Sequence, residues 1–238
     1  MSSGHLLIAS LVIALGSLVQ GGVGFGSLLI AAPLLVLIEP GLVPGPVLVP
    51  GLLLSLLMAR RAWGGVEWGS VGWAFAGRVP GSLVGALILA GLPDGGFEFL
   101  VGATVVLGVL VSAIGLRVTP SPATLLGAGF VAGITGTTTS VGGPPVALVY
   151  QHHSGDQLRG TLSGFFVMGS LLSMVTLALV GRFDAHDALM GLLLVPATVA
   201  GYAVSPPLVR WLDRGYTRAA VLGLSGAAGL VLVLRRLV

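Results

Sequence analysis

The sequence predicts an all-α polytopic membrane protein of two inverted repeats, each a broken or re-entrant helical hairpin plus three transmembrane helices. Three observations carry this. Of the 238 residues, 55% are hydrophobic and only 8% charged, with mean hydropathy +1.06, whereas soluble domains carry about 25% charged residues. The apolar runs do not alternate and far exceed the ~10-residue strands of a membrane barrel, so the spans are helices. A polar, glycine-rich break interrupts the apolar pattern once in each half.

The first repeat covers 1–119. Residues 1–5 lack the basic region of a cleaved signal peptide, so the first apolar run is expected to be retained. Residues 5–39 read as a hairpin whose arms meet at Gln20-Gly21-Gly22-Val23-Gly24-Phe25-Gly26-Ser27, each arm being shorter than the ~20 residues a span needs. A helix over about 43–61 ends at Arg60-Arg61. Trp63, Trp68 and Trp73, with Glu67 between them, predict an interfacial segment. Helices over about 77–93 and 97–116 follow, with Arg78 opening the first and Arg117 closing the second.

The second repeat covers 120–238. Its hairpin, 123–151, turns at Thr135-Gly136-Thr137-Thr138-Thr139-Ser140-Val141-Gly142-Gly143-Pro144-Pro145. Exposed to lipid, that stretch would leave backbone groups unpaired, so it belongs inside protein or against water. His152-His153-Ser154-Gly155-Asp156 is a polar loop, and helices over about 160–181, 188–209 and 218–236 complete the chain. Val79-Pro80 matches Val195-Pro196 at a spacing of 116, as Gly85 matches Gly201 and Gly26 matches Gly142.

All eleven basic residues are arginine. If each hairpin returns to its own side, Arg60, Arg61, Arg117, Arg159, Arg210, Arg214 and Arg218 share one face and Arg182, Arg235 and Arg236 the other, a 7:3 split; single crossings give 4:6. The positive-inside bias selects the hairpins, with both termini extracytoplasmic. An odd number of further crossings then inverts the halves and brings the hairpins in from opposite faces, the arrangement that places a substrate site near the midplane.

Each hairpin tip joins one helix end to the start of the next, where free N–H groups and the helix dipole favour an anion. Candidate substrate-binding residues are Gln20, Gly24, Phe25 and Ser27 on the first tip, and Thr135, Thr137, Thr138, Thr139, Ser140, Gly142 and Gly143 on the second. Arg78 and Arg159 are candidate anion-attracting residues; an interfacial anchor fits each equally well. The threonines also suit bonds to their own helix backbone, and Gly85 and Gly201 suit packing. No ATP-binding, metallohydrolase or nucleophile-elbow motif is present, and no Asp or Glu lies mid-span to relay protons. Cysteine is absent, which removes thiol redox chemistry.

The glycine-rich break followed by proline, Arg159-Gly160-Thr161-Leu162, and Val79-Pro80-Gly81-Ser82-Leu83-Val84-Gly85-Ala86 resemble the sulfite exporter TauE/SafE family over the whole chain. The resemblance implies about eight membrane segments in two related halves and movement of small sulfur-containing or organic anions. Many members carry a fuller run of glycines in each break; the Thr-rich tip here is the expected seat of substrate choice. The expected function is a non-enzymatic secondary transporter or facilitator that exports a small anion across the cell inner membrane, by alternating access around the two tips. Expected partners are that anion and the lipid bilayer, with a homodimer left open. No cofactor, metal or nucleic acid is expected. The alternatives are a membrane-embedded metal-dependent enzyme using His152-His153, a non-transporting subunit, and a cation- or proton-coupled carrier of another small solute.

Overall fold

The computed structural model describes the backbone of residues 2–93, 95–114, 118–150, 155–212 and 216–237, and side chains outside 206–219 and 237. Among these residues there are ten α-helices and no strands: α1 (Ser3–Val23), α2 (Ser27–Ile38), α3 (Gly45–Arg61), α4 (Trp68–Ala90), α5 (Gly96–Ile114), α6 (Pro122–Thr139), α7 (Gly143–Val149), α8 (Gly155–Leu179), α9 (Ala185–Leu212) and α10 (Tyr216–Leu237). Among the described residues, five helices are long and apolar enough to cross a membrane: α1, α4, α5, α8 and the Ala185–Ser205 part of α9. Large apolar side chains such as Leu87, Leu107, Leu179 and Leu192 face outward, as they must where the solvent is hydrocarbon. The chain is a multi-pass membrane protein.

Glycine shapes the first turn-back. Gly24 (φ 101°) ends α1 and Gly26 (φ 105°) precedes α2; both lie where a side chain is strained. The arms run back beside each other, so that His5 Nδ1 lies 3.4 Å from Glu39 Oε2 at the far end of the hairpin. Across the second break the αL position falls on Ser140 (φ 62°), the only non-glycine residue with positive φ among those described. A residue held there costs about 1–3 kcal/mol. The Ser140 hydroxyl donates to the Pro44 carbonyl at 3.1 Å, which ties this strained tip to the start of α3. The first arm is longer than expected: α1 has 21 residues, enough to span, while α7 has only 7.

The largest departure from expectation is α4, which begins at Trp68 instead of about 77. Trp68 and Trp73 therefore ride on the helix with their faces exposed. Nothing between them stops a helix: glycine only weakens one. Arg78 consequently lies near the middle of α4 and only 4% exposed, not at an interface.

Glycine also sets how closely helices approach. α4 lies along α6, and a Cβ on Gly85 would come 2.8 Å from the Ile134 carbonyl oxygen; one on Gly133 would come 2.6 Å from that of Arg78. α1 lies along α9 in the same manner, with Gly201 against the Ala14 carbonyl. Gly85 and Gly201 thus act in packing, the close backbone approach by which membrane helices associate. Other neighbours include α3 with α8, α5 with α10, α3 with α9, α4 with α8, α2 with α10 and α5 with α7.

Candidate functional site

The two hairpin tips meet on one small cavity of about 50 Å³. Gln20, Gly26 and Ser27 come from the first tip, and Gly136, Ser140, Gly142 and Gly143 from the second. Arg78 of α4, Ser55 of α3, and Phe166 and Ser170 of α8 close it. On this scale each water-sized group needs roughly 10–15 Å³, so the space suits a few such groups.

Arg78 dominates the electrostatics. Its Nη2 donates to Ser173 Oγ at a long 3.4 Å, and its guanidinium carbon sits 4.9 Å from the Phe165 ring centroid. Nε and Nη1 are buried and have no hydrogen-bond partner among the described residues, and no carboxylate there pairs with Arg78. Arginine keeps its charge in proteins, and a buried charge without a partner costs several kcal/mol. The positive charge in the pocket is therefore uncompensated among the described residues. Space for the guanidinium comes from missing side chains. A Cβ on Gly136 would lie 2.8 Å from Nη2, one on Gly142 3.4 Å from Nη1, and one on Gly169 would fall on the guanidinium itself.

The polar groups around it differ in what they have left to donate. Gln20 Oε1 accepts from the Ser27 backbone N–H at 3.1 Å, so its amide presents Nε2 as the remaining donor. That bond also pins the first tip. The Ser55 hydroxyl donates to Gly51 O at 2.8 Å and the Ser140 hydroxyl to Pro44 O, committing both protons to backbone. The second tip supplies fewer N–H groups than the sequence suggests, because α7 opens with Pro144 and Pro145 and proline has none.

Of the sequence candidates, Gln20, Ser27, Ser140, Gly142, Gly143 and Arg78 converge on the cavity. The threonine run does not line it. Thr135, Thr138 and Thr139 bond the carbonyls of Val131, Ile134 and Thr135, each four residues back, the self-capping habit of hydroxyls in apolar helices. Thr137 differs: its hydroxyl meets Ser173 Oγ at 2.9 Å, the same oxygen that receives Arg78. Gly24 lies against the stem of Arg159, and Phe25 borders a separate apolar cavity of about 200 Å³. Arg159 donates to Gly22 O at 2.9 Å, away from the central cavity. Sequence reasoning missed Ser55, Ser170 and Phe166, which reach the cavity only through helix packing, and passed over Gly136 within the second break. His152 and His153 lie outside the described residues; among the rest, no group of three His, Cys, Asp or Glu is placed to hold a metal ion.

These placements make the hydroxyls unequal. Thr138→Val is expected to leave anion flux within about twofold of wild type, since only a bond to its own helix is lost. Thr137→Val frees Ser173 to turn and is expected to lower flux by roughly fivefold, the effect of about 1 kcal/mol in one hydrogen bond. Flux of both variants in proteoliposomes checks the order.

No curated protein and no solved structure gives a significant match to the chain. The family described as Sulfite exporter TauE/SafE matches residues 9–232, nearly the whole length, in keeping with an all-helical chain whose outer surface is apolar. The chain belongs to the sulfite exporter TauE/SafE family, a family of membrane transporters and not of enzymes.

Proposed function

We propose that this chain carries a small oxyanion, sulfite or one of similar size, outward across the bacterial cytoplasmic membrane, and that Arg78 with the two hairpin tips forms the binding site. The observation that carries the reading is the buried guanidinium of Arg78, which has two nitrogens without a hydrogen-bond partner among the described residues and lines a cavity that holds no carboxylate. Gln20 Nε2 and the Ser27 and Ser170 hydroxyls add neutral donors. A cavity of about 50 Å³ favours a compact anion over a longer organosulfonate. A cation carrier is disfavoured, since Arg78 would repel its cargo.

The halves act as inverted repeats that rock around this site in alternating access. Exchanging the halves in chain order turns the α4–α6 contact into α9–α1, α3–α9 into α8–α4, and α2–α10 into α7–α5, all contacts that occur; this supports the repeat. The arginine distribution supports cytoplasmic placement of Arg60, Arg61 and Arg159, with both termini extracytoplasmic. An inside-negative potential of ~100 mV favours exit of each negative charge by about 2.3 kcal/mol, so export needs no coupling ion.

Proteoliposomes loaded with sulfite test this. Efflux is expected to rise when an inside-negative potential is imposed, and sulfoacetate is expected to leave more slowly than sulfite. Efflux no faster than from empty liposomes would reject the reading.

A further inference from the structure

A second polar cleft, of about 110 Å³, lies beside the first hairpin and is lined by Gly21, Met58, Arg61, Ala62, Asp156, Arg159 and Tyr202. Its charge is unbalanced. Two guanidiniums face one carboxylate, and that carboxylate is 83% exposed and 3.9 Å from Arg159 Nε. Arg61 is exposed and has no acidic partner among the described residues. Arg159 is held in place by its bond to Gly22 O and by contact of its stem with Gly24, so one of the two cations is fixed.

The cleft and the central cavity are lined from neighbouring positions on the same two helices. Gly21 lines the cleft and its neighbour Gln20 the cavity; on α3, Met58 lines the cleft and Ser55, one turn back, the cavity. We infer that this cleft is a second oxyanion site, a vestibule in which Arg61 and Arg159 hold an anion beside the helices that line the central site. Its exposed charges act through water and are screened over about 10 Å at 0.1 M salt, so its affinity is lower and more salt-dependent than that of the central cavity. The chemistry recognised is an oxyanion held by two guanidiniums, and that oxyanion is either free sulfite or a lipid phosphate.

Equilibrium binding of radiolabelled sulfite to the purified full-length protein in detergent tests the assignment. Wild type is expected to show two classes of site, the weaker one lost at high salt. Arg61→Glu, a change at an exposed residue, is expected to weaken that class by roughly tenfold at low salt and to spare the tighter one; Arg159→Gln repeats the loss by a second route. Arg78→Met removes only the tighter class. Were Arg78→Met instead without effect while Arg61→Glu acted, the central assignment would fail and the vestibule would stand. Adding phosphatidylglycerol separates the sources: competition with the weaker class assigns the site to lipid headgroups, and persistence assigns it to the free anion. A single class in wild type, or two classes unaltered by Arg61→Glu and Arg159→Gln, overturns the vestibule.

Discussion

Arg78→Met is expected to reduce oxyanion flux in proteoliposomes by at least about a hundredfold while raising the thermal stability of the empty protein. The two effects share one cause. Hydrogen bonds to a charged group contribute about 1.5–3 kcal/mol each, two nitrogens of Arg78 have no partner among the described residues, and on the proposed reading a bound anion takes up both. Losing both removes more than the ~2.7 kcal/mol that a hundredfold represents. In the empty site the same charge is buried and unpaired. A buried ionic group is often replaced by an apolar residue of similar size at no cost or with a gain in stability, and Met fills the space beside Phe165 without a charge. A structural role for Arg78 predicts the opposite sign for stability. Lost flux with lost stability would therefore reject the site, and flux and melting temperature measured on one preparation decide it.

Gly169→Ala is expected to lower flux almost as far, by about fiftyfold or more, although alanine is the better helix former by about 1 kcal/mol. Gly169 lies inside α8, and a Cβ added there would fall on the guanidinium of Arg78. The arginine must then leave its place beside Ser173 and Phe165. Gly127, with open space around its Cβ position, is the control: Gly127→Ala is expected to leave flux unchanged. Equal flux from Gly169→Ala and wild type would show that the observed placement of Arg78 does not matter for transport.

The membrane class and the two breaks were legible because they rest on composition and on glycine and proline, whose constraints are local. Gly24 and Gly26 sit at positive φ in the break where the sequence places them. The start of α4 was not legible. Three tryptophans mark an interface in sequence, yet Trp68 and Trp73 are carried on the outer face of a helix that continues through them. That shift moves Arg78 from a helix end to a helix middle, and with it the balance between anchor and site. The threonine run misled for a different reason. Hydroxyls in an apolar helix bond the carbonyl one turn back when nothing better is near, and three of the four did so. The residues that make room for Arg78, namely Gly136, Gly142 and Gly169, are distant from it in sequence; the break marks Gly136 and Gly142 as part of a turn but not as neighbours of Arg78, and no local pattern marks Gly169.

Sulfite-dependent thermal stabilisation of wild type and Arg78→Met tests the central claim most directly. A ligand that binds the folded state stabilises it by about 2.7 kcal/mol at a hundred times its Kd. The melting temperature of wild type is expected to climb with sulfite concentration at constant ionic strength. That of Arg78→Met is expected to start higher and stay flat over the concentrations that fill the wild-type central site. Parallel climbs in the two proteins would contradict the assignment of the anion site to Arg78.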